Sequence, residues 1–498
     1  MHNVVDWLPE FEISAETDGE LLKYFIQRPE INKVVFGKAW LVLGKKGSGK
    51  TAIHEYLKST ESENIDNQES LCINFRHYPW PAHQIYKEAL GSLNTAYQKS
   101  WSYLITVKAL SKLIELKSRD GKKLSKELVK AKSYIEKIYG SPNPTLKEVL
   151  LSKVIRLKSV RGPSAGLDDL TLEAGEFTID DIASSEELQS RLRTNAFTLL
   201  EYFESVFRNN SGDYKILIAL DQLDENWLEG EIEEYSRMLV NLLNVCSSLS
   251  LDPDLNSNLK VVVFLRTDIY QTLKFNDKNK LIQGPSVTIE WDHDSLNDMF
   301  YERIRKYAPP SSGLDETLKS NCVFSFKMAR QKTPPFKHII KRSFNRPRDI
   351  IVYFNKLRAV REENKGAGLY SSAELYSAEI EASTSIYNEL IDEWSALYPE
   401  IEDLLGVLQL IEYETFDKAA FEKQYRVAFP ESSAADMMKS LKFLFENSII
   451  GQKHHGRWVF RYNNLRLLMN QSKDFKTHPS LKHKLSLLES RPSQRSNS

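Results

Sequence analysis

The chain has 498 residues, with 67 Lys and Arg against 68 Asp and Glu, a formal net charge of −1, and 41% hydrophobic residues. At roughly 150 residues per domain this length accommodates about three domains, and the neutral balance excludes a nucleic-acid coat or an acidic tail as a description of the whole, so any basic surface must be local. Cys72, Cys246 and Cys322 lie far apart without C-x-x-C spacing, which argues against a disulfide framework or a zinc cluster. No apolar run approaches the ~18 residues of a bilayer span, and the acidic N-terminus lacks the order of a signal peptide. A cytoplasmic chain with no membrane partner is expected.

In chain order, residues 38–43 form the first apolar run, ending at Gly44, and 71–75, 215–220, 261–265 and 286–291 follow. Near-continuous Val, Ile and Leu runs separated by helical stretches predict an α/β core with a five-stranded parallel sheet covered on both faces. Its first part is placed at 37–97, after an N-terminal segment at 1–36, and its second part at 200–292.

Between them, 98–199 reads as a helical insertion that opens with an antiparallel helical pair. One helix carries Val107, Leu110 and Ile114. The other is amphipathic, with Leu124, Leu128, Ala131, Ile135 and Ile138 on one face. Residues 108–161 hold fifteen Lys or Arg and five acids, and 168–187 hold eight acids and no Lys or Arg. Either a solvated face is followed by an acidic loop folding back onto it, or the insertion binds nucleic acid or a partner.

Residues 293–395 read as a helical lid broken at 345–349. Over 396–470, three helices near 402–412, 416–428 and 433–446 precede a hairpin around a His454-His455-Gly456 turn, the pattern of a winged helix. From 471 a disordered tail is expected.

The chemistry concentrates in three places. Gly44-Lys45-Lys46-Gly47-Ser48-Gly49-Lys50-Thr51, followed by Ala52, fits G-x-x-x-x-G-K-[ST] between a strand and a helix. Glycines let successive N–H groups face a phosphate, Lys50 reaches the β- and γ-phosphates, and Thr51 offers a hydroxyl to Mg²⁺. The strand at 216–220 ends in Asp221, a carboxylate suited to hold the metal, with Asp224 and Glu225 placed to orient the attacking water. The strand at 261–265 ends in Arg266, which could read the γ-phosphate or simply pair with Asp268.

Taken with the Asn345-Arg346-Pro347-Arg348-Asp349 stretch and the winged helix, these motifs resemble the P-loop ATPases of the AAA+/STAND branch, closest to poorly characterised bacterial P-loop ATPases neighbouring the KAP and origin-recognition-like families. The resemblance covers 37–97 and 200–465. It implies a Mg-ATP site between core and lid, a sensor strand flanked by the Walker A and Walker B strands, and Arg266 as sensor 1. It also implies Pro347 as a lid proline near the base, Arg348 as sensor 2, a homo-oligomer, a partner effector protein and a role in antiviral defence. Gln222 departs from the family's usual Glu and cannot serve as a base, so slow, switch-like hydrolysis is expected.

Arg303 and Arg305 are possible fingers in trans. The winged helix exposes Lys439, Lys442 and Glu446, with Lys453, His454, His455 and Arg457 on the wing, and reads as an internal clamp more than a DNA reader. Two alternatives stay open: a DNA-binding ATPase using that domain and the basic insertion, and an interaction scaffold that holds ATP structurally.

Overall fold

The computed structural model describes residues 4–59, 68–76, 93–151, 155–161, 171–177, 186–224, 232–309, 314–329, 332–464, 466–470 and 474–489. The chain forms two compact units: a sheet unit, Gln27–Lys45 with Lys50–Ile289, and a helical unit, Met1–Ile26 with Lys46–Gly49 and Glu290–Ser498. No helix among the described residues is long and apolar enough to cross a membrane.

In the sheet unit, β1 (Leu41–Gly44), β2 (Gln68–Asn74), β5 (Lys215–Asp221), β6 (Leu259–Arg266) and β7 (Ser286–Thr288) form one sheet, with β3 (Ile155–Arg161) and β4 (Thr171–Phe177) apart from it. The order is β2-β5-β6-β1-β7, and every pair is parallel. Successive residues of β1 and β5 are buried, not alternate ones, as strands covered on both faces require. The expected five-stranded parallel core is present. Its sensor strand β6 lies between β5 and β1, which brings Gly44 opposite Arg266.

The longer helices of this unit are α1 (Lys50–Ser59), α2 (Leu93–Arg119), α3 (Lys126–Tyr139), α4 (Glu186–Asn210) and α5 (Ile232–Leu251). Ser125 caps α3 by accepting from Leu128 N, and Gly140 ends it at φ 78°, a left-handed turn that favours glycine. Leu128, Ala131, Ile135 and Ile138 are its buried face, as the spacing predicts.

The insertion differs from expectation in two respects. Helix α2 is buried on almost every side: Trp101 donates to Met238 O at 3.1 Å, and Tyr97 to Glu234 at 2.7 Å, both on α5. It packs as a core helix, where the charge run suggested a solvated face. The insertion is also not wholly helical, because β3 and β4 form an antiparallel two-stranded sheet. Much of the acidic stretch, including 178–185, lies outside the described residues.

The helical unit contains α6 (His293–Tyr307), α7 (Pro335–Ile340), α8 (Pro347–Glu363), α9 (Ser372–Trp394), α10 (Ile401–Leu410), α11 (Lys418–Ala428) and α12 (Ala434–Glu446). Capping boxes start α9 (Ser371 with Glu374) and α12 (Ser433 with Asp436), each satisfying two end groups reciprocally. The N-terminal segment adds Val4, Val5, Leu8 and Phe11 to a core built on α6, α8 and the first half of α9. Asn355 fixes it by bonding both Phe11 N (2.9 Å) and Phe11 O (2.8 Å). Arg303, a finger candidate, is buried against Asp18 and Tyr24, so it belongs to this core. Arg305 is exposed and pairs with Glu302.

The three helices and hairpin expected over 402–459 are present. Strands β9 (Ile450–His454) and β10 (Arg457–Val459) meet at a turn with His455 at φ 47° and Gly456 at φ 78°, the paired left-handed residues that fit a two-residue hairpin.

The expected disordered tail is the clearest correction. Residues 475–477 form β11 (Phe475–Thr477), inserted between β9 and β8 (Thr415–Phe416) in the order β10-β9-β11-β8. Leu481, Leu485 and Leu487 continue into the core, and His478 stacks on Phe344 with centroids 4.1 Å apart. Irregular spacing of these apolar residues hides them from any periodicity. Replacing the fully buried Phe475 by Ala is expected to cost about 3–5 kcal/mol, read as a lower denaturation midpoint in urea. A change below about 1 kcal/mol would show that the segment does not pack.

Candidate functional site

Strand β1 delivers the chain to Gly44 and α1 takes it up at Lys50, so the intervening loop must reverse direction within a few residues. Gly47 at φ 74° and Gly49 at φ 96° make this possible, since a Cβ is strained at such angles. In the sheet unit, Lys50 Nζ folds back onto Gly44 O and Lys45 O, both at 3.1 Å. Burial lowers its pKa, opposed by the charges of Asp224 and Asp221. Thr51 and Ala52 open α1 half-buried.

Asp221 ends β5 and is 1% exposed. Burial pushes its carboxyl above the usual carboxylate range, against the pull of His54, Lys50 and a hydrogen bond from Thr51. Its Oδ2 has no hydrogen-bond partner among the described residues. The next residue, Gln222, is buried at φ 59°. That left-handed conformation costs a non-glycine residue about 1–2 kcal/mol.

Arg266, at the end of β6, takes the pairing alternative: it donates to both Asp268 oxygens, at 3.2 and 2.6 Å, and its Nε is 3.7 Å from Asp224. Glu225 lies outside the described residues. The structure therefore brings Lys50, Thr51, Asp221, Asp224 and Arg266 together. It adds His54 and Asp268, of which only Asp268 was marked by the sequence, as a partner for Arg266.

In the helical unit, the loop tip Lys46–Gly49 is held from two sides. Trp291 Nε1 donates to Ser48 O at 2.8 Å, and a Cβ built on Gly47 would sit 3.1 Å from Arg348 Cβ. Pro347 occupies the first turn of α8, where its missing N–H costs nothing. Arg348 donates to Glu389 at 2.8 Å, and Lys46 Nζ lies 3.3 Å from the same oxygen. One turn on, Glu393 receives Arg346 at 2.6 Å in a fully buried pair. Sequence reasoning missed Trp291, Arg346, Glu389 and Glu393. The i, i+4 spacing of the two glutamates opposite an Arg-Pro-Arg stretch was the available signal.

A family model described as the FunZ-associated C-terminal helical domain matches residues 294–391, the span from α6 through most of α9. Among solved structures, the chain is similar to the Aeropyrum pernix ORC1 protein in complex with DNA (11% identity, 97% of this chain and 96% of that one, TM-score 0.38). It is also similar to Cdc6p from Pyrobaculum aerophilum (11%, 96% and 96%, TM-score 0.31) and to the Aeropyrum pernix ORC2 protein in ADPNP–ADP complexes (12%, 94% and 92%, TM-score 0.41). No curated protein matches the chain.

Among the described residues, no cluster of three or more His, Cys, Asp or Glu side chains could cage a metal by itself. Thr51 and Asp221 alone would leave most positions of a six-coordinate Mg²⁺ to phosphate oxygens and water, which is how that ion is ordinarily held.

Asp349, in the first turn of α8, is buried, which raises its pKa to about 6 against the pull of Arg346 and of the hydrogen bond it accepts from Phe344 N at 2.7 Å. Because the folded state then binds a proton that the unfolded state has released, this group lowers stability as pH rises from about 4 to 6. An Asp349→Asn variant should lack that term. The wild type is expected to lose stability relative to the variant across this window, by on the order of 2 kcal/mol, and to level off above it. Melts across that pH range check this, and a difference of the opposite sign would refute it.

Proposed function

We propose that the chain binds Mg-ATP and hydrolyses it slowly, as a nucleotide-controlled switch. The observation that carries this reading is the approach of Lys50, at the start of α1, to a buried Asp221 whose outer oxygen has no hydrogen-bond partner among the described residues. An orphaned buried carboxylate oxygen costs about 1–3 kcal/mol unless a cation or donor meets it.

Lys50 and the loop N–H groups would hold the phosphates, and Thr51 with Asp221 would hold Mg²⁺. The bound ion would supply charge neutralisation at the phosphate oxygens. Asp224 is the described acid available to orient water and receive its proton as the water oxygen joins the γ-phosphorus and the β–γ bridge breaks. Glu225 is its sequence neighbour in the same role. Arg266, steadied by Asp268, would stabilise charge on the transferring group. Gln222 stands where a carboxylate would accelerate the step, which supports slow turnover. The signalling branch, a homo-oligomer, a partner effector and antiviral defence rest on the sequence resemblance.

A second reading, DNA engagement, is favoured by the surface of the sheet unit, where Lys123 and Lys126 are exposed and Lys122 stacks over Tyr214. In the helical unit, α12 supports it less. Its Lys439 pairs with Asp436 and its Lys442 with Glu446, so the winged-helix reading fits an internal clamp.

The test is ATP hydrolysis by the full chain with and without duplex DNA, beside Lys50→Ala. Turnover no faster than a few per second is expected, indifferent to DNA and reduced about 100-fold or more by Lys50→Ala. An unchanged rate in that variant would reject the site. Should DNA stimulate turnover, charge reversal of Lys122, Lys123 and Lys126 should weaken DNA binding and flatten its salt dependence, by about one unit of slope for each phosphate no longer neutralised. Unchanged affinity would exclude that face.

A further inference from the structure

The loop tip already holds an anion, and it belongs to the protein. Within the helical unit, Lys46 Nζ and Arg348 Nη1 converge on one oxygen of Glu389, at 3.3 and 2.8 Å. Neither cation has another acidic partner among the described residues. Beside them, Gly47 packs against Arg348, so these two charges sit directly at the turn whose N–H groups suit a phosphate.

Glu389 differs from the next glutamate on the same helix face. The Arg346–Glu393 pair is buried, with side chains 5% and 1% exposed, whereas Lys46, Arg348 and Glu389 are each 27–33% exposed. Separating the buried pair would strand a charge without water, which is strongly disfavoured. Separating the outer one costs far less, because solvent replaces the lost partner. One turn of α9 thus carries a permanent ion pair and an exchangeable one. A cavity of about 370 Å³ lined by Arg348, Glu389, Lys356 and Ser385 lies alongside, leaving the outer carboxylate room to swing away.

We propose that Glu389 is a resident competitor for phosphate: it occupies Lys46 and Arg348 in the anion's stead, and a phosphate bound at the loop takes both cations from it. The inference rests on the nucleotide reading above and adds its regulation. The two cations attract Glu389 and lower its pKa against burial, so the competitor is charged at neutral pH. Because a phosphate chain offers more negative charge than one carboxylate, the exchange favours the ligand with more phosphates. Exchange would also remove one tie on α9, whose first half lies in the core with α6 and α8 and whose second half lies in the core with α10, α12 and β11.

Calorimetric titration of the full chain with Mg-ATP, Mg-ADP and pyrophosphate tests this, comparing wild type with Glu389→Gln, Lys46→Ala and the double variant, with melting curves as a folding control. Glu389→Gln keeps the shape and removes the competing charge. It should bind ATP roughly three- to tenfold tighter, as loss of a partly exposed charge pair implies, with a smaller gain for ADP. Lys46→Ala should bind more weakly, and in that background Glu389→Gln should gain less. Unchanged or weaker binding by a folded Glu389→Gln, with wild type binding normally, overturns the competitor and leaves the nucleotide site standing. Absence of binding by wild type and Glu389→Gln alike overturns both.

Discussion

Asp221 imposes the demand that organises the sheet unit. A carboxylate 1% exposed at the end of a strand is expensive unless charge and hydrogen bonds meet it, and the strand order answers that demand. With β6 between β5 and β1, the ends of three strands meet in register, and Lys50, Thr51 and Arg266 arrive at one edge. Compensation stops short of completion. One oxygen of Asp221 lacks a partner among the described residues, and the following Gln222 holds a left-handed backbone. Unmet polarity and backbone strain are thus collected in one place, at the end of β5.

The elements readable from the sequence are those whose local pattern and final environment agree. β1, β5 and β6 are continuous apolar runs because both of their faces are buried, and the glycine loop is visible because only glycine tolerates its angles. The buried face of α3 follows its periodicity. Illegible elements owe their state to distant partners. Helix α2 carries Lys108 and Lys112, which read as solvated charge, yet Lys108 is buried and bonded to Asn143 and Pro144 O, and Lys112 to Glu115. β11 is three residues long and exists because β8 and β9 leave a gap for it. The site shows the same division. Its glycines, Lys50 and Asp221 announce themselves, whereas Glu389 matters only because Lys46 and Arg348 fold onto it.

Polar ties in the helical unit run in the same direction as its cores. Glu379, on α9, is buried and receives His338 at 2.8 Å, His483 at 3.1 Å and the guanidinium of Arg342. His338 and Arg342 hold its pKa at about 2 despite burial. His483 belongs to the segment after β11, so one carboxylate joins that segment to α7 and α9. Lys484 N adds a bond to Ser383 Oγ at 3.0 Å. The segment is therefore anchored by charge to the same helix that carries Glu389 and Glu393.

This continuity gives α9 a mechanical meaning that its length alone would not. A helix of 23 residues with Leu375, Ala378 and Ala382 in one core and Ile386, Leu390 and Trp394 in the next cannot shift at one end without loading the other. The charge balance of α12 fits the same picture, since Asp436 and Glu446 beside Lys439 and Lys442 leave the helix no net positive charge to offer a phosphate backbone. Its buried face, with Met437, Leu441, Leu444 and Phe445, is committed to the core that α9 enters. A signal read at Glu389 would thus reach the C-terminal sheet through packed apolar side chains, with exchange of a single weak ion pair as its input.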